Sequence, residues 1–249
     1  MSILNQLIDM IYPPRCPICH NMLAEGDYDN EELVRPFCRS CFETFQQIES
    51  PLCPICGRPH ISGPAEDHLC ENCLRNRPYY DRCASPYLYE GNLMEAIHEF
   101  KYMQKSHLAG SFGPLLASFA STHFTLQDNL LVMPVPLHPK RLRERGFNQS
   151  LLLARHVASR LGAQLDFLSL RRVRYTKPQT ELSKDERQKN VKMAFGILDK
   201  QVVKGRSVLL VDDVATTGNT LNECARVLKK SGAQKVLCVT LARTSLSQS

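Results

Sequence analysis

Beyond residue 80 the chain alternates between short apolar runs and longer stretches whose apolar residues return every three or four positions. The runs at 130–135, 207–211 and 235–241 are almost unbroken in apolar side chains, as strands buried on both faces should be. Residues 81–90 alternate as a strand does, and 168–173 reads as a further strand. Helical spacing predicts helices over 93–103, 108–124, 148–161 and 219–230. Short strands separated by helices give an α/β domain with a mostly parallel sheet flanked by helices. Open parallel sheets hold ligands at the carboxyl ends of their strands, so a site is expected after Val135, Val173 and Val211. Residues 175–192 are polar and charged, with Pro178 as a breaker.

The first 75 residues follow another rule. Eight of the eleven cysteines form four Cys-x-x-Cys pairs: Cys16/Cys19, Cys38/Cys41, Cys53/Cys56 and Cys70/Cys73. A two-residue gap lets both sulfurs face one centre from a tight turn, and two such pairs complete a tetrahedral zinc shell. Four pairs therefore make two closed, structural Zn2+ sites, with Pro17, Pro54 and Gly57 supplying turn chemistry. Sequential and interleaved pairing are both compatible with the spacing. His20, His60 and His68 read as bystanders, because eight thiols already fill two shells. Large apolar side chains are sparse here, so the metal is expected to supply much of the folding free energy. Two domains follow: 1–75, a short N-terminal amphipathic helix (Leu4, Leu7, Ile8, Ile11) with the cysteine module, and 76–249, the α/β domain.

Charge refines this picture. The net charge of +6 is uneven, since 140–192 holds fourteen Lys/Arg against five Asp/Glu. Concentrated positive charge points to a phosphate-bearing partner. No run of about 18 apolar residues occurs, and the N-terminus lacks the basic segment and cleavage site of a secretory signal. No membrane span and a cytoplasmic location are expected.

The chemistry concentrates after Val211. Asp212 and Asp213 stand side by side at the end of the apolar run 208–211. Two adjacent carboxylates beside a core are unfavourable unless something cationic or hydrogen-bond donating meets them. Vicinal sugar hydroxyls with Mg2+ nearby would do so. Ala215, Thr216, Thr217, Gly218, Asn219 and Thr220 follow, small or hydroxylated residues opening a helix whose amides suit a phosphate. Carboxylates for a sugar and amides for a phosphate describe a ribose-phosphate clamp. This segment resembles the phosphoribosyl pyrophosphate motif of type I phosphoribosyltransferases. That resemblance assigns the ribose hydroxyls to Asp212 and Asp213, and the 5-phosphate to the loop from Ala215 to Thr220. After Val135 comes a basic loop with Lys140, Arg141, Arg143 and Arg145. Its guanidinium groups suit pyrophosphate oxygens and would assist a departing pyrophosphate, although it could equally contact a nucleic-acid backbone.

The segments RLRERGFNQS, TKPQTELSKDERQKNVKMAF and VLLVDDVATTGNTL, preceded by CPICH and CPICG, together resemble the ComF family: competence protein F and GntX-like proteins. The resemblance covers nearly the whole chain. It implies a double zinc ribbon joined to a type I phosphoribosyltransferase-like domain, and a role in natural transformation, handling incoming single-stranded DNA with possible partners in the competence machinery. It also makes 176–191 the hood that closes over the reaction centre, with Lys177, Gln179, Arg187 and Asn190 as contacts and Lys177 and Arg145 in catalytic roles. Lys101 lies on a helix with Ile97 and Phe100; it could reach the site, but it reads first as a surface lysine. Two functions stand side by side: a DNA-handling protein that binds phosphoribosyl pyrophosphate, and an active phosphoribosyltransferase without a direct DNA role.

Overall fold

The computed structural model describes residues 15–23, 37–60, 63–102, 105–124, 129–174 and 193–245. The N-terminal amphipathic helix and the hood, including Lys177, Gln179, Arg187 and Asn190, lie outside them. Helices α1 (Arg39–Phe42) and α2 (Glu71–Arg75) belong to the cysteine-rich part. Strands β1 (Arg82–Ala84) and β2 (Tyr87–Leu88) follow, then α3 (Gly91–Tyr102), α4 (Ala109–His123), β3 (Leu130–Pro134), α5 (Pro139–Arg145) and α6 (Gln149–Leu161). The chain continues through β4 (Gln164–Leu165), β5 (Leu170–Arg172), β6 (Phe195–Ile197), β7 (Ser207–Ala215), α7 (Asn219–Lys230) and β8 (Lys235–Arg243).

The main sheet has the order β1-β8-β7-β3-β4, with β2 pairing β8 beyond β1. Every pairing in it is parallel. Central β7 and β8 are buried along nearly their whole length, as apolar residues on both faces require. Their side chains divide by parity. Val132, Leu209, Val211, Leu237, Val239 and Leu241 pack with α3, α4 and α6. Leu131, Met133, Val208, Leu210, Val236 and Cys238 pack with α7 and the β5–β6 hairpin.

The cysteine clusters follow the same division. Cys16, Cys38 and Cys41 share the first core, which continues through a ring cluster: Phe37 lies 5.2 Å from Phe45 and 5.4 Å from Phe112, and Phe45 lies 5.5 Å from Tyr87. Cys53, Cys56, Cys70 and Cys73 share the second. Each cluster is thus anchored to one face of the sheet.

Four expectations need correction. Residues 81–90 form two short strands, because the chain breaks at Ser85–Pro86 between them. The basic segment after Val135 is a helix: Pro139 takes its first turn, the His138 side chain caps the Lys140 amide at 3.2 Å, and Gly146 ends it in the left-handed conformation. The strand after 168 does not join the parallel sheet, since β5 pairs antiparallel with β6. Finally, β7 runs four residues past Val211 and keeps its partner, Asp212 facing Thr240 and Ala215 facing Arg243.

Candidate functional site

The carboxyl ends of β3 and β7 lie side by side. Val135 donates its amide to the Val211 carbonyl at 2.9 Å, which fixes the two strand ends together. Asp212 and Asp213 stand on β7 at this edge. Asp213 is 7% exposed and forms an ion pair with Lys101 at 3.0 Å. Lys101 is therefore no surface lysine: it projects from the last turn of α3 into the site, its ammonium 5.7 Å from the centre of the Tyr89 ring. Burial works against its charge, but Asp213 outweighs that and its pKa is raised. Part of the cation that the paired acids demand is thus supplied by the chain itself.

Asp212 is held differently. Ser150 donates its hydroxyl to Asp212 Oδ1 at 2.7 Å, and the Asp213 amide donates to the same oxygen at 3.0 Å. Burial, and then repulsion from Asp213, push its carboxyl up to about 7, against the pull of Ser150 and Lys101. A carboxyl poised there is readily ionised by an arriving cation.

The segment RGFNQS is the frame for these contacts. Asn148 caps α6 by accepting from the Ser150 amide at 3.1 Å, and its own amide donates to the Val135 carbonyl at 3.1 Å. Gln149, 1% exposed, donates to the carbonyls of Phe100 and Lys101 at 3.3 and 3.2 Å. It ties α6 to the end of α3 and so places Lys101. Arg145 donates to Gln149 Oε1 at 3.3 Å and lies 4.7 Å from the Tyr102 ring centre.

Arg141 and Arg145 on α5 lie close enough to Arg172 on β5 for their charges to act on it. Its pKa is lowered, by burial first and then by Arg141 and Arg145, while Cys224 and Asp212 act the other way. Three crowded guanidinium groups beside two carboxylates suit a ligand with anionic groups at one end and hydroxyls at the other.

The loop after β7 starts α7. Ala215 is 2% exposed, Gly218 is buried, and Thr216, Thr217, Asn219 and Thr220 keep partial exposure. Gly218 occupies the helix cap at φ +76, where a Cβ would meet the Tyr80 hydroxyl at 3.3 Å, so only glycine sits there without strain. Thr217 accepts from the Asn219 amide at 3.4 Å. Behind the loop, Thr244 donates its amide to the Ala215 carbonyl at 3.1 Å. Sequence reasoning passed over Ser150, Gln149, Arg172 and Tyr80. Lys101 alone carried a local signal, four residues after the buried Ile97 on one helix face.

The eight paired cysteines separate as 16, 19, 38, 41 and 53, 56, 70, 73, the four sulfurs of each group lying within 4.8 Å of one another. Pairing is sequential. Cys19 and Cys38 sulfurs are 3.5 Å apart, Cys56 and Cys70 sulfurs 3.7 Å, near the edge of about 3.8 Å that a tetrahedron with zinc–sulfur bonds of about 2.3 Å requires. Burial first, then neighbouring thiols, raise Cys73 to about 12 in the second cluster and push Cys41 well above its ordinary value in the first. Hydrogen bonds lower Cys53 to about 3 and Cys38 to about 7, so without a cation each cluster ionises unevenly. The donor set fits two zinc ions. His60 stacks on His68 at 3.7 Å, and both lie outside the clusters. Cys83, Cys224 and Cys238 are buried.

Comparison with known proteins agrees. The Phosphoribosyl transferase domain family matches residues 148–248, and the Double zinc ribbon domain family matches residues 7–74. The DNA utilization protein YhgH of Salmonella typhimurium is 35% identical over 93% of this chain and 98% of its own length. Competence protein F of Haemophilus influenzae is 33% identical over 82% of this chain and 90% of its own. Among solved structures, glutamine phosphoribosylpyrophosphate amidotransferase from B. subtilis in complex with ADP and GMP is 21% identical, with a TM-score of 0.34 over 50% of this chain and 25% of that one. With its two four-cysteine clusters, its parallel sheet and these full-length relatives, the chain belongs to the ComF family of competence protein F-like proteins, which join a double zinc ribbon to a phosphoribosyltransferase domain.

Proposed function

We propose that this protein handles incoming single-stranded DNA in the cytoplasm during natural transformation, and that it binds phosphoribosyl pyrophosphate with Mg2+ between β7, α5 and α7. The observation that carries the ligand assignment is the acid pair at the end of β7, with Lys101 on Asp213 and Ser150 on Asp212, at the mouth of a glycine-capped helix. Asp212 and Asp213 take the ribose hydroxyls. The loop from Ala215 to Thr220 takes the 5-phosphate, as helix N-terminal amides do. Arg141 and Arg145, joined by Arg172, take the pyrophosphate. Bound Mg2+ would neutralise pyrophosphate charge beside the acids. Residues 1–75 and 76–249 are the two domains of this reading, and the names of the relatives, DNA utilization protein and competence protein F, support the DNA part.

Calorimetric titration of phosphoribosyl pyrophosphate with and without Mg2+, on the wild type, Asp212→Ala and Asp213→Ala, tests the clamp; three equal affinities would remove it. Single-strand DNA affinity measured across a salt series tests the DNA part, because phosphate contacts give a steep dependence on salt. Binding that ignores salt, or no binding, would remove that part. The crowding of Arg141, Arg145 and Arg172 favours a second reading in which the site turns over, since these groups would stabilise a departing pyrophosphate. Pyrophosphate release against a panel of nitrogen acceptors decides it.

A further inference from the structure

Arg243 ends β8 and is 1% exposed. Among the described residues it is the only arginine buried so completely. A guanidinium does not give up its proton in a protein, and taking it out of water costs several kcal/mol by the usual order of magnitude unless an anion meets it. No carboxylate pairs with Arg243 among the described residues. Among the described residues its Nε is buried without a partner, and its one side-chain hydrogen bond runs from a terminal nitrogen to Cys83 Sγ at 3.9 Å. The groups that feel its charge are Cys83, Cys56 and Tyr80. Burial raises both Tyr80 and Cys83 above their ordinary values, which favours their neutral forms. An anion is missing from this account.

Cys56 supplies it. It is one of the four sulfurs of the second cluster, and four thiolates around one Zn2+ carry a net double negative charge. The cluster is built against the strand next to Arg243. The Cys83 amide donates to the Ile55 carbonyl inside the Cys53–Cys56 turn at 2.6 Å, and a Cβ on Gly57 would lie 2.6 Å from the Cys83 carbonyl oxygen. On its other side Arg243 meets the phosphate loop: it faces Ala215 across the β7–β8 ladder, and the next residue, Thr244, bonds the Ala215 and Thr216 carbonyls at 3.1 and 3.4 Å.

We propose that Arg243 is the counter-charge of the second zinc centre, held by Cys53, Cys56, Cys70 and Cys73, and that this pairing fastens the metal knuckle to the strand that supports the phosphate loop. The inference rests on zinc filling both clusters. The first cluster has no buried arginine beside it among the described residues, and its Cys19 faces solvent, so it is an internal control.

The test is zinc retention. Wild type, Arg243→Met and Arg243→Lys are purified with zinc, their metal content is measured, and they are then challenged with a chelator while thiols are alkylated and mapped by mass spectrometry. Partners outside a zinc shell are commonly worth about 10- to 100-fold in metal affinity. Arg243→Met should expose the second cluster at least about tenfold faster, with the first cluster unchanged, and Arg243→Lys, which keeps the charge, should stay close to the wild type. Equal exposure of the second cluster in all three would overturn the proposal. If Arg243→Met does not fold, Arg243→Lys decides: zinc lost from the second cluster at an accelerated rate shows that charge is not what Arg243 contributes. A wild type holding fewer than two zinc ions would overturn the metal reading along with this one.

Discussion

Replacing Asp212 with asparagine should stabilise the protein while removing its ligand. Holding a carboxyl at about 7 instead of 3.8 corresponds to about 4 kcal/mol of unfavourable ionisation in the folded chain. Asp212 keeps partial access to solvent and is coupled to Asp213, which reduces the recoverable part to about 1–2 kcal/mol. Asparagine retains the acceptor for Ser150 and for the Asp213 amide, both of which bond Oδ1, so the swap breaks neither bond. The sign follows from proton linkage. Between pH 4 and 7 or so the unfolded chain has released this proton and the folded chain still binds it, so the wild type loses stability as pH rises and the penalty is constant above about 7. The advantage of Asp212→Asn should therefore reach only about two fifths of its full size at pH 5 and be nearly complete at pH 8. Urea denaturation of both proteins at the two values measures it, and phosphoribosyl pyrophosphate titration at pH 8 should show the affinity lost. A variant less stable than the wild type at pH 8, or an advantage indifferent to pH, would refute the reasoning.

Lys101→Met leaves the Asp213 charge buried and unpaired; it should cost about 3 kcal/mol in urea denaturation at neutral pH, and a loss below about 1 would show the pair to be dispensable. Gly218→Ala should cost about 1–2 kcal/mol from its left-handed backbone and weaken ligand binding, whereas Gly162→Ala, at φ +58 with no atom near its Cβ, should carry the strain alone and leave binding intact. Thermal melts with and without ligand separate the two. Gly113→Ala drives a Cβ into the His156 ring between α4 and α6 and should cost about 2 kcal/mol, while Gly110→Ala in the same helix meets nothing and should be neutral or slightly stabilising by melting temperature.

What the sequence disclosed, and what it withheld, divides along the reach of the interactions. The apolar runs at β3, β7 and β8 and the helical spacing of α6 and α7 are local, and the structure places them as expected. The cysteine pairs were legible as zinc ligands for the same reason; their sequential grouping needed three dimensions. The helix α5 had its signals in view, Pro139 at the start and Gly146 at the end, but seven residues dominated by charge read as a loop. β5 left the parallel sheet because its partner β6 lies more than twenty residues on, beyond the polar stretch that separates them. In the site, Asp212 and Asp213 were legible because paired acids after an apolar strand are unusual. Ser150 and Gln149 were not, because each acts on a residue at least 48 positions away, and Lys101 was legible only as a helix-face lysine within reach of the site. The acids advertised a need for cations, and only the fold revealed which of those were already in the chain.

The two cysteine clusters belong to different layers of one sheet, and this gives the molecule two separate points of failure. An oxidant or chelator that reaches the exposed Cys19 first would release the α4 side and its ring cluster while the α7 side, with the loop that starts α7, kept its packing. Damage to the second cluster would do the reverse. Stress on this protein should therefore leave two distinct half-loosened species, and which one accumulates would record which chemistry the cell had met.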